Sequence, residues 1–428
     1  MNLDIIKLNC SGIFQCKEIE LKSDFTLYYF PSHIRMVTNQ GLSSSDIVSK
    51  KLLDSDWTLL GMTSDNIKME CGSLILVSVN EDKAEFIPRN SGLYLGTETD
   101  ATIESMEFPL IGFYRGTCSL KLKGWSIDIF EKHNEGINQE RLSKIWGIPL
   151  EGLSLRLQNK RVKTSGYLDQ VLVIRTMLSL ASGNDVKFNR QVINYSNGSK
   201  VEIWREFIGY EFGAKICIPF YRTADYLKQC LPLFKSTEKS IRKKIGAAIS
   251  YINSTSNGYL DDRILRITQA WELLADQLVD FKFEISQPRT EFKRALKSTL
   301  KAWRDKYPGQ DPEGFLGTRV IESLEYDKAI EKLTGLAKAF NLNFEKIGLD
   351  FPELIKLRNN VAHTGFMKTK KRPVELLESS RFGLQILILR YLNYKGELKI
   401  NHKGWSSFAS IHEFLDEDAP LLKQKDSS

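Results

Sequence analysis

The stretch FPELIKLRNNVAHTG, residues 351–365, carries a nearly complete set of helix signals. Asp350 can serve as the N-cap, Pro352 suits the first turn, and Glu353 stands three residues after the cap. Gly365 is a natural stop at the C-terminal end. Apolar residues recur at helical spacing within the stretch: Leu354, Leu357 and Val361. The pattern therefore predicts a helix with one buried face.

Helical spacing extends on both sides of this stretch and dominates the chain beyond about Leu233. Glycine, proline or asparagine residues separate the periodic segments, as expected between helices. The predicted helices are Thr237–Ile252, Asp261–Phe281, Arg289–Tyr307, Thr318–Phe340, Phe351–His363 and Val374–Tyr394.

The first half of the chain has the alternation and the β-branched or aromatic residues that are typical of strands. The clearest strands are FTLYYF (25–30), SLILVSV (73–79), TCSLKLKGWSIDIF (117–130) and LSLRL (153–157). One predicted helix, Tyr167–Ala181, interrupts them. Turn-forming clusters between the strands favour a sandwich or an open barrel. We therefore expect an α+β protein, with a β-rich N-terminal region (1–233) of sensor or regulatory type followed by an all-α domain (234–428).

Length and composition are typical of a globular protein of two or three domains. The chain has 428 residues, 42% of them hydrophobic, and a formal net charge of +7. The charge permits an anionic partner without requiring one. No window approaches 18 uninterrupted apolar residues, and the six cysteines form no CxxC pair. We therefore expect a cytoplasmic protein with no membrane partner.

The predicted helix end brings chemically useful side chains together. Arg358 and His363 are five residues apart, which is about 140° around a helix, so both can reach a ligand that lies over its end. An arginine can bind a phosphate bidentately, and a histidine can move protons near neutral pH. The pair suits cleavage of a phosphodiester by its own 2′-hydroxyl, without a metal or a cofactor. The alternative is that the two residues only cap and solvate a helix end.

The passage LRNNVAHTG, residues 357–365, resembles the signature of HEPN-domain ribonucleases, Arg-x4–6-His with a polar residue after the arginine. That polar residue is Asn359 here. The resemblance covers roughly Leu233 to Asn401 and implies an all-α HEPN domain. A β-rich half before such a domain is also similar to ApeA-type antiphage defence proteins, which restrict the growth of infected cells.

The resemblance implies a metal-independent endoribonuclease that acts in antiphage defence by abortive infection. His363 would be the general acid or base, Arg358 would stabilise the transition state, and Asn359 would orient the phosphate or the histidine. HEPN nucleases pair two motifs across a dimer, so a homodimer with a composite site is implied. The substrate would be RNA, with tRNA as one candidate, and an unknown phage-derived trigger would activate cleavage.

Two other readings of the resemblance stay open. One is a non-catalytic HEPN module for dimerisation or RNA binding, and the other is a toxin- or antitoxin-type partner of a nucleotidyltransferase.

Basic residues directly after the motif are candidates for contact with flanking phosphates: Lys368, Lys370, Lys371 and Arg372. The basic segment 287–307 has either that role or that of a solvated helix face. Glu272, in a preceding helix, is either exposed or close to the site.

Overall fold

The fold is described from a computed structural model of the chain. The structure describes residues 6–17, 19–30, 33–42, 52, 55–89, 92–131, 151–159, 162–205, 217–256, 258–279, 287–307, 309, 329–364, 373–402 and 405–416. The chain divides into two units. The first comprises residues 1–236 and 396–409, and the second comprises residues 237–395 and 410–428.

The first unit is built on an antiparallel sheet of thirteen strands in the order β4-β1-β2-β3-β6-β5-β7-β13-β12-β8-β11-β10-β9. Strand β4 also pairs with β5, so the first six strands close into a barrel with the other strands as an extension. The strands are β1 (Ile6–Cys16), β2 (Ile19–Phe30), β3 (His33–Thr38), β4 (Trp57–Thr63), β5 (Lys68–Val79), β6 (Ala84–Pro88), β7 (Leu93–Leu95), β8 (Ile103–Ile111), β9 (Cys118–Leu122), β10 (Trp125–Phe130), β11 (Glu151–Gln158), β12 (Arg190–Tyr195) and β13 (Lys200–Trp204).

The barrel closes around an aromatic core. Alternate residues point inward, because successive side chains of a strand face opposite sides of the sheet. Phe14 stacks on Phe86 with 4.4 Å between the ring centroids, and Trp57 meets Phe86 edge-on at 5.2 Å. Gly12 lies opposite Gly61 in the β1–β4 pairing, where a Cβ on Gly12 would come within 2.9 Å of a backbone oxygen. The two glycines thus allow the close approach of β1 and β4.

Helices and a hairpin complete the first unit. Helix α1 (Thr164–Ser182) follows β11, and α2 (Thr223–Ser236) follows β13. Strands β14 (Glu397–His402) and β15 (Trp405–Ser410) form a separate two-stranded sheet after the helices of the second unit.

The expected fold, a β-rich region followed by an all-α domain, is therefore wrong. The class is α+β, but with a closed six-stranded barrel and further strands before a helical region. Neither a sandwich nor an open barrel forms, because β4 pairs with β5. The all-α expectation for 234–428 fails at the β14–β15 hairpin, whose short alternating strands give a weak signal in a mainly helical half.

In the described part of the second unit the chain is mainly helical. Its helices are α3 (Lys239–Ser254), α4 (Leu260–Leu278), α5 (Gln287–Lys306), α6 (329–339), α7 (Phe344–Ile347), α8 (Phe351–Thr364) and α9 (Pro373–Tyr391). Of these, α3, α8 and α9 pack against α4. Trp271 of α4 is fully buried. Its ring meets Phe351 of α8 edge-on at 4.8 Å, and its indole N–H donates to the Ser380 carbonyl of α9 at 3.1 Å. One side chain therefore joins three helices.

Most helices expected from periodicity are confirmed, with ends that differ by a few residues. The first part of the expected helix Thr318–Phe340 lies outside the described residues. Helix α2 was not predicted, because Pro232 inside it resembles a break. Within the described part of the chain, no helix has the length and apolarity that a membrane crossing needs.

A partly buried ionic cluster joins β12 and β13 in the first unit. Glu202 accepts a hydrogen bond from the Trp204 indole at 2.8 Å and pairs with Arg190 at 3.1 Å and Lys200 at 2.6 Å. Burial raises the pKa of Glu202, but the charge of Arg190 and the hydrogen bonds from Lys200 and Trp204 outweigh it and lower the pKa to about 2. The ionised form of Glu202 is therefore favoured in the folded state.

We expect Glu202→Gln to destabilise the protein at neutral pH by on the order of 3 kcal/mol. Because the pKa is depressed by folding, this stabilisation is complete above the unfolded-state pKa and is lost as the pH falls toward about 2. The gap between the urea-unfolding midpoints of wild type and variant should narrow as the pH falls from about 4.5 to about 2. A gap that stays constant over this range would contradict the assignment.

Candidate active site

Helix α8 begins as its sequence predicts. The Asp350 side chain accepts a hydrogen bond from the backbone N–H of Glu353 at 3.0 Å, so the predicted N-cap is confirmed. The predicted apolar stripe is buried: Leu354, Leu357 and Val361 are 0%, 1% and 6% exposed. This face packs toward the core of the second unit and fixes the rotation of the helix. The polar residues between the stripe positions are consequently held on its other side.

Arg358 lies at the edge of the buried stripe and reaches α4. Its Nη2 donates to a carboxylate oxygen of Glu272, in an ion pair between side chains that are 30% and 35% exposed. Its Nε is buried and has no hydrogen-bond partner among the described residues. Half-exposed ion pairs contribute little stability, whereas an unsatisfied buried donor costs about 1–3 kcal/mol. The guanidinium is therefore oriented by Glu272 but not fully satisfied.

His363 lies in the last turn of α8 and is exposed. Asn359 follows Arg358 and is half-buried. Helical geometry places Arg358 and His363 about 7.5 Å apart along the axis and about 140° around it. The structure thus presents an exposed imidazole and an oriented guanidinium on the C-terminal half of one helix.

The basic residues predicted to contact flanking phosphates lie outside the described residues: Lys368, Lys370, Lys371 and Arg372. The other basic segment forms α5, where Lys297 and Lys301 are exposed and Phe292 is 56% exposed. These two lysines form a row on an exposed amphipathic helix. This lysine row fits either a solvated surface or a phosphate-binding surface.

Glu272 was predicted to be either exposed or close to the site, and in the structure it pairs with Arg358. It lies on α4, 86 residues before Arg358, and a single mid-helix glutamate resembles an ordinary surface residue. The signal that could have identified it is positional. Glu272 directly follows Trp271, whose burial fixes which face of α4 meets α8.

The arrangement can bind an anion and move a proton. Arg358 has further N–H donors beyond the one that Glu272 accepts, and a phosphate can use them. The imidazole of His363 is a group that commonly serves as a general acid or base. Within the described residues, no three His, Cys, Asp or Glu side chains come together as a metal-binding group.

Comparisons of the chain with family models, with curated proteins and with solved structures gave no match.

Proposed function

We propose that the protein is an endoribonuclease of the HEPN type, which cleaves RNA by attack of the 2′-hydroxyl on the adjacent phosphate. One observation carries the proposal. The arginine of the Arg-x4-His motif is oriented by a carboxylate of a second helix and keeps an unsatisfied N–H, while the histidine of the motif is exposed one turn later. A purely solvated helix end would not need a partner helix to orient its arginine.

The chemistry follows from the residue types. His363 removes the proton from the 2′-hydroxyl, or donates one to the departing 5′-oxygen. The 2′-oxygen forms a bond to phosphorus as the bond to the 5′-oxygen breaks, which leaves a 2′,3′-cyclic phosphate and a 5′-hydroxyl. Arg358 stabilises the charge that develops on the phosphoryl oxygens. Asn359 orients the phosphate or the imidazole.

Glu272 is a positioning residue in this scheme. Its carboxylate holds one end of the guanidinium, so less side-chain freedom is lost when a phosphate binds the remaining donors. The unpaired Nε of Arg358 is buried, so the side chain would have to move before this donor could bind a phosphate.

RNA and a second copy of the chain are the proposed partners. One motif per chain supports a homodimer with a composite site, which sedimentation equilibrium can test. The basic residues 368, 370, 371 and 372 and the lysine row of α5 would hold flanking phosphates. We place the protein in the cytoplasm, because its six scattered cysteines suit a reducing compartment.

The proposed biological role is antiphage defence by abortive infection, with tRNA as one candidate substrate and a phage-derived trigger. It rests on the resemblance of the motif and on the β-rich unit before it. Phage plaque counts on cells that express wild type or His363→Ala test it, because only an active nuclease should reduce plaque formation. Equal protection by the two proteins would refute this role.

A non-catalytic module is the second candidate, because the ion pair with Glu272 already uses part of the Arg358 guanidinium. A guanidinium already held by a carboxylate can serve structure alone. The two candidates differ in the effect of Arg358 and His363 substitutions on cleavage.

We expect the purified protein, or a triggered form of it, to cleave RNA in the presence of EDTA. The proposed mechanism needs only a proton carrier and a phosphate ligand, so chelation should not change the rate. The products should carry 2′,3′-cyclic phosphate ends, which become accessible to end-labelling only after the cyclic phosphate is removed. Cleavage that depends absolutely on added magnesium would contradict the mechanism.

A further inference from the structure

A second feature of the molecule lies in the first unit, far along the chain from the motif. A cavity of about 700 Å³ opens between the extension of the sheet and the start of α1. This volume is within the range of about 300–1,000 Å³ that is usual for small-molecule sites. None of its lining residues was singled out as a functional residue in the sequence.

The floor of the cavity follows from strand register. Tyr94 of β7 pairs with Ile203 of β13, and Ile203 pairs with Gln191 of β12. Two residues further along β12, on the same face, come Ile193 and then Tyr195. Three neighbouring strands therefore present a mainly apolar and aromatic surface, with one amide in it.

Gln191 is the exception in this floor. Its side chain is 1% exposed, and its Oε1 has no hydrogen-bond partner among the described residues. Its amide nitrogen lies 3.7 Å from the sulfur of Met106, which is a weak acceptor. Buried amide oxygens are nearly always paired, so an unpaired one beside a cavity indicates a missing donor. A ligand N–H in the cavity would supply it once the buried amide turns toward the open space.

The mouth of the cavity favours an anion on one side. Lys163 is the N-cap of α1 and its side chain makes no capping hydrogen bond, and the first turn of α1 has no acidic residue. Both Lys163 and Thr164 line the cavity, as does Arg205 at the end of β13. A helix N-terminus and two cations together attract a phosphate or a carboxylate.

Acidic residues limit the negative charge of a ligand that the cavity can bind. Glu98 and Asp100 line it from the segment before β8. Burial and then the charge of Glu98 raise the pKa of Tyr195, so the tyrosine hydroxyl stays protonated and can donate a hydrogen bond. The nearby carboxylates oppose a polyanion and can accept hydrogen bonds from sugar hydroxyls. A ligand with a single phosphate fits this balance better than one with three.

We propose that this cavity is a binding site for a nucleoside monophosphate. The base lies against Tyr94 and Tyr195 and donates an N–H from its pairing edge to Gln191. The phosphate lies at the N-terminus of α1 between Lys163 and Arg205. Tyrosine rings stack on bases of any kind, and every common base carries an N–H at its pairing edge. The site is independent of the ribonuclease proposal, since it uses none of the same residues.

The test is calorimetric titration of the full-length protein with AMP, GMP, CMP and UMP. We expect at least one to bind at one site per chain, more tightly than ATP, ribose 5-phosphate or inorganic phosphate. Gln191→Leu and Lys163→Ala should each weaken binding about tenfold, because each removes one hydrogen-bonding or charged partner. Lys228→Ala removes an exposed lysine of α2 outside the cavity and should bind as wild type does.

Three results would overturn the proposal. One is the absence of binding of all four monophosphates at millimolar concentration. Another is equal binding of inorganic phosphate and nucleotide, which would show that no base is read. The third is wild-type affinity in Lys163→Ala, an exposed position where substitution leaves the fold intact. Arg358→Ala should retain nucleotide binding, so failure of the ribonuclease proposal leaves this result unchanged.

Discussion

Replacing His363 or Arg358 with alanine is expected to reduce RNA cleavage by about 10²-fold or more while the protein stays folded. His363 is exposed at a helix end, so its loss removes a proton carrier without opening the core. Arg358 contributes a half-exposed ion pair with Glu272, whose loss costs about 1 kcal/mol or less. The loss of a transition-state contact costs far more in rate than the loss of this pair costs in stability. The measurement is initial cleavage rate beside melting temperature.

Matched variants make the comparison specific. His412→Ala removes another exposed histidine of the same unit, and Lys356→Ala removes an exposed cation of the same helix. Both controls should cleave RNA as wild type does. Arg358→Lys should recover only part of the activity, because lysine keeps the charge but lacks the planar fork.

The Glu272→Ala variant distinguishes a residue that positions Arg358 from one that only supports the fold. Glu272→Ala should raise KM for RNA more than it lowers kcat, since it loosens a phosphate ligand without removing it. If cleavage by all these variants falls only in step with melting temperature, the motif is structural. The non-catalytic module would then be the better description.

Trp271→Ala is expected to have the largest effect on stability, about 3–5 kcal/mol. The side chain is fully buried, and it contacts Phe351 and donates to the Ser380 carbonyl. Alanine would leave a cavity among three helices and would remove the hydrogen bond to the Ser380 carbonyl. The change is measured as a shift in the urea-unfolding midpoint of the helical unit.

Two further variants calibrate this result. Trp271→Phe keeps most of the volume and loses the indole donor, so its cost should be smaller, about 1–2 kcal/mol. Trp303→Ala removes a half-buried tryptophan of α5 and should cost less than Trp271→Ala. Equal effects at 271 and 303 would contradict the central position of Trp271.

Local structure could be predicted from the sequence where it depends only on residues that are close together in the chain. Asp350 as an N-cap, and the buried stripe of Leu354, Leu357 and Val361, both follow from spacing within a single helix. Strands such as β2 follow from alternation. These signals act over a few residues, so no knowledge of the rest of the fold is needed.

Features that depend on distant pairing were not accessible in this way. Closure of the barrel requires β4 to pair with β5, which alternation within either strand cannot indicate. The partner of Arg358 lies 86 residues away. The floor of the cavity depends on the register that places Tyr94, Ile203 and Gln191 side by side. Spacing in one segment gives no information on such registers.

Closure of the barrel also bears on self-association through backbone pairing. A strand at the border of an open sheet exposes unpaired N–H and C=O groups, to which a strand of another molecule can add. Because β4 pairs with both β1 and β5, it offers no such border. In the described part of the sheet, the border at the far end is β9, which has only five residues and carries the exposed Lys121. A short border strand with a lysine resists amyloid-like stacking, so both ends of the thirteen-stranded sheet are protected against aggregation.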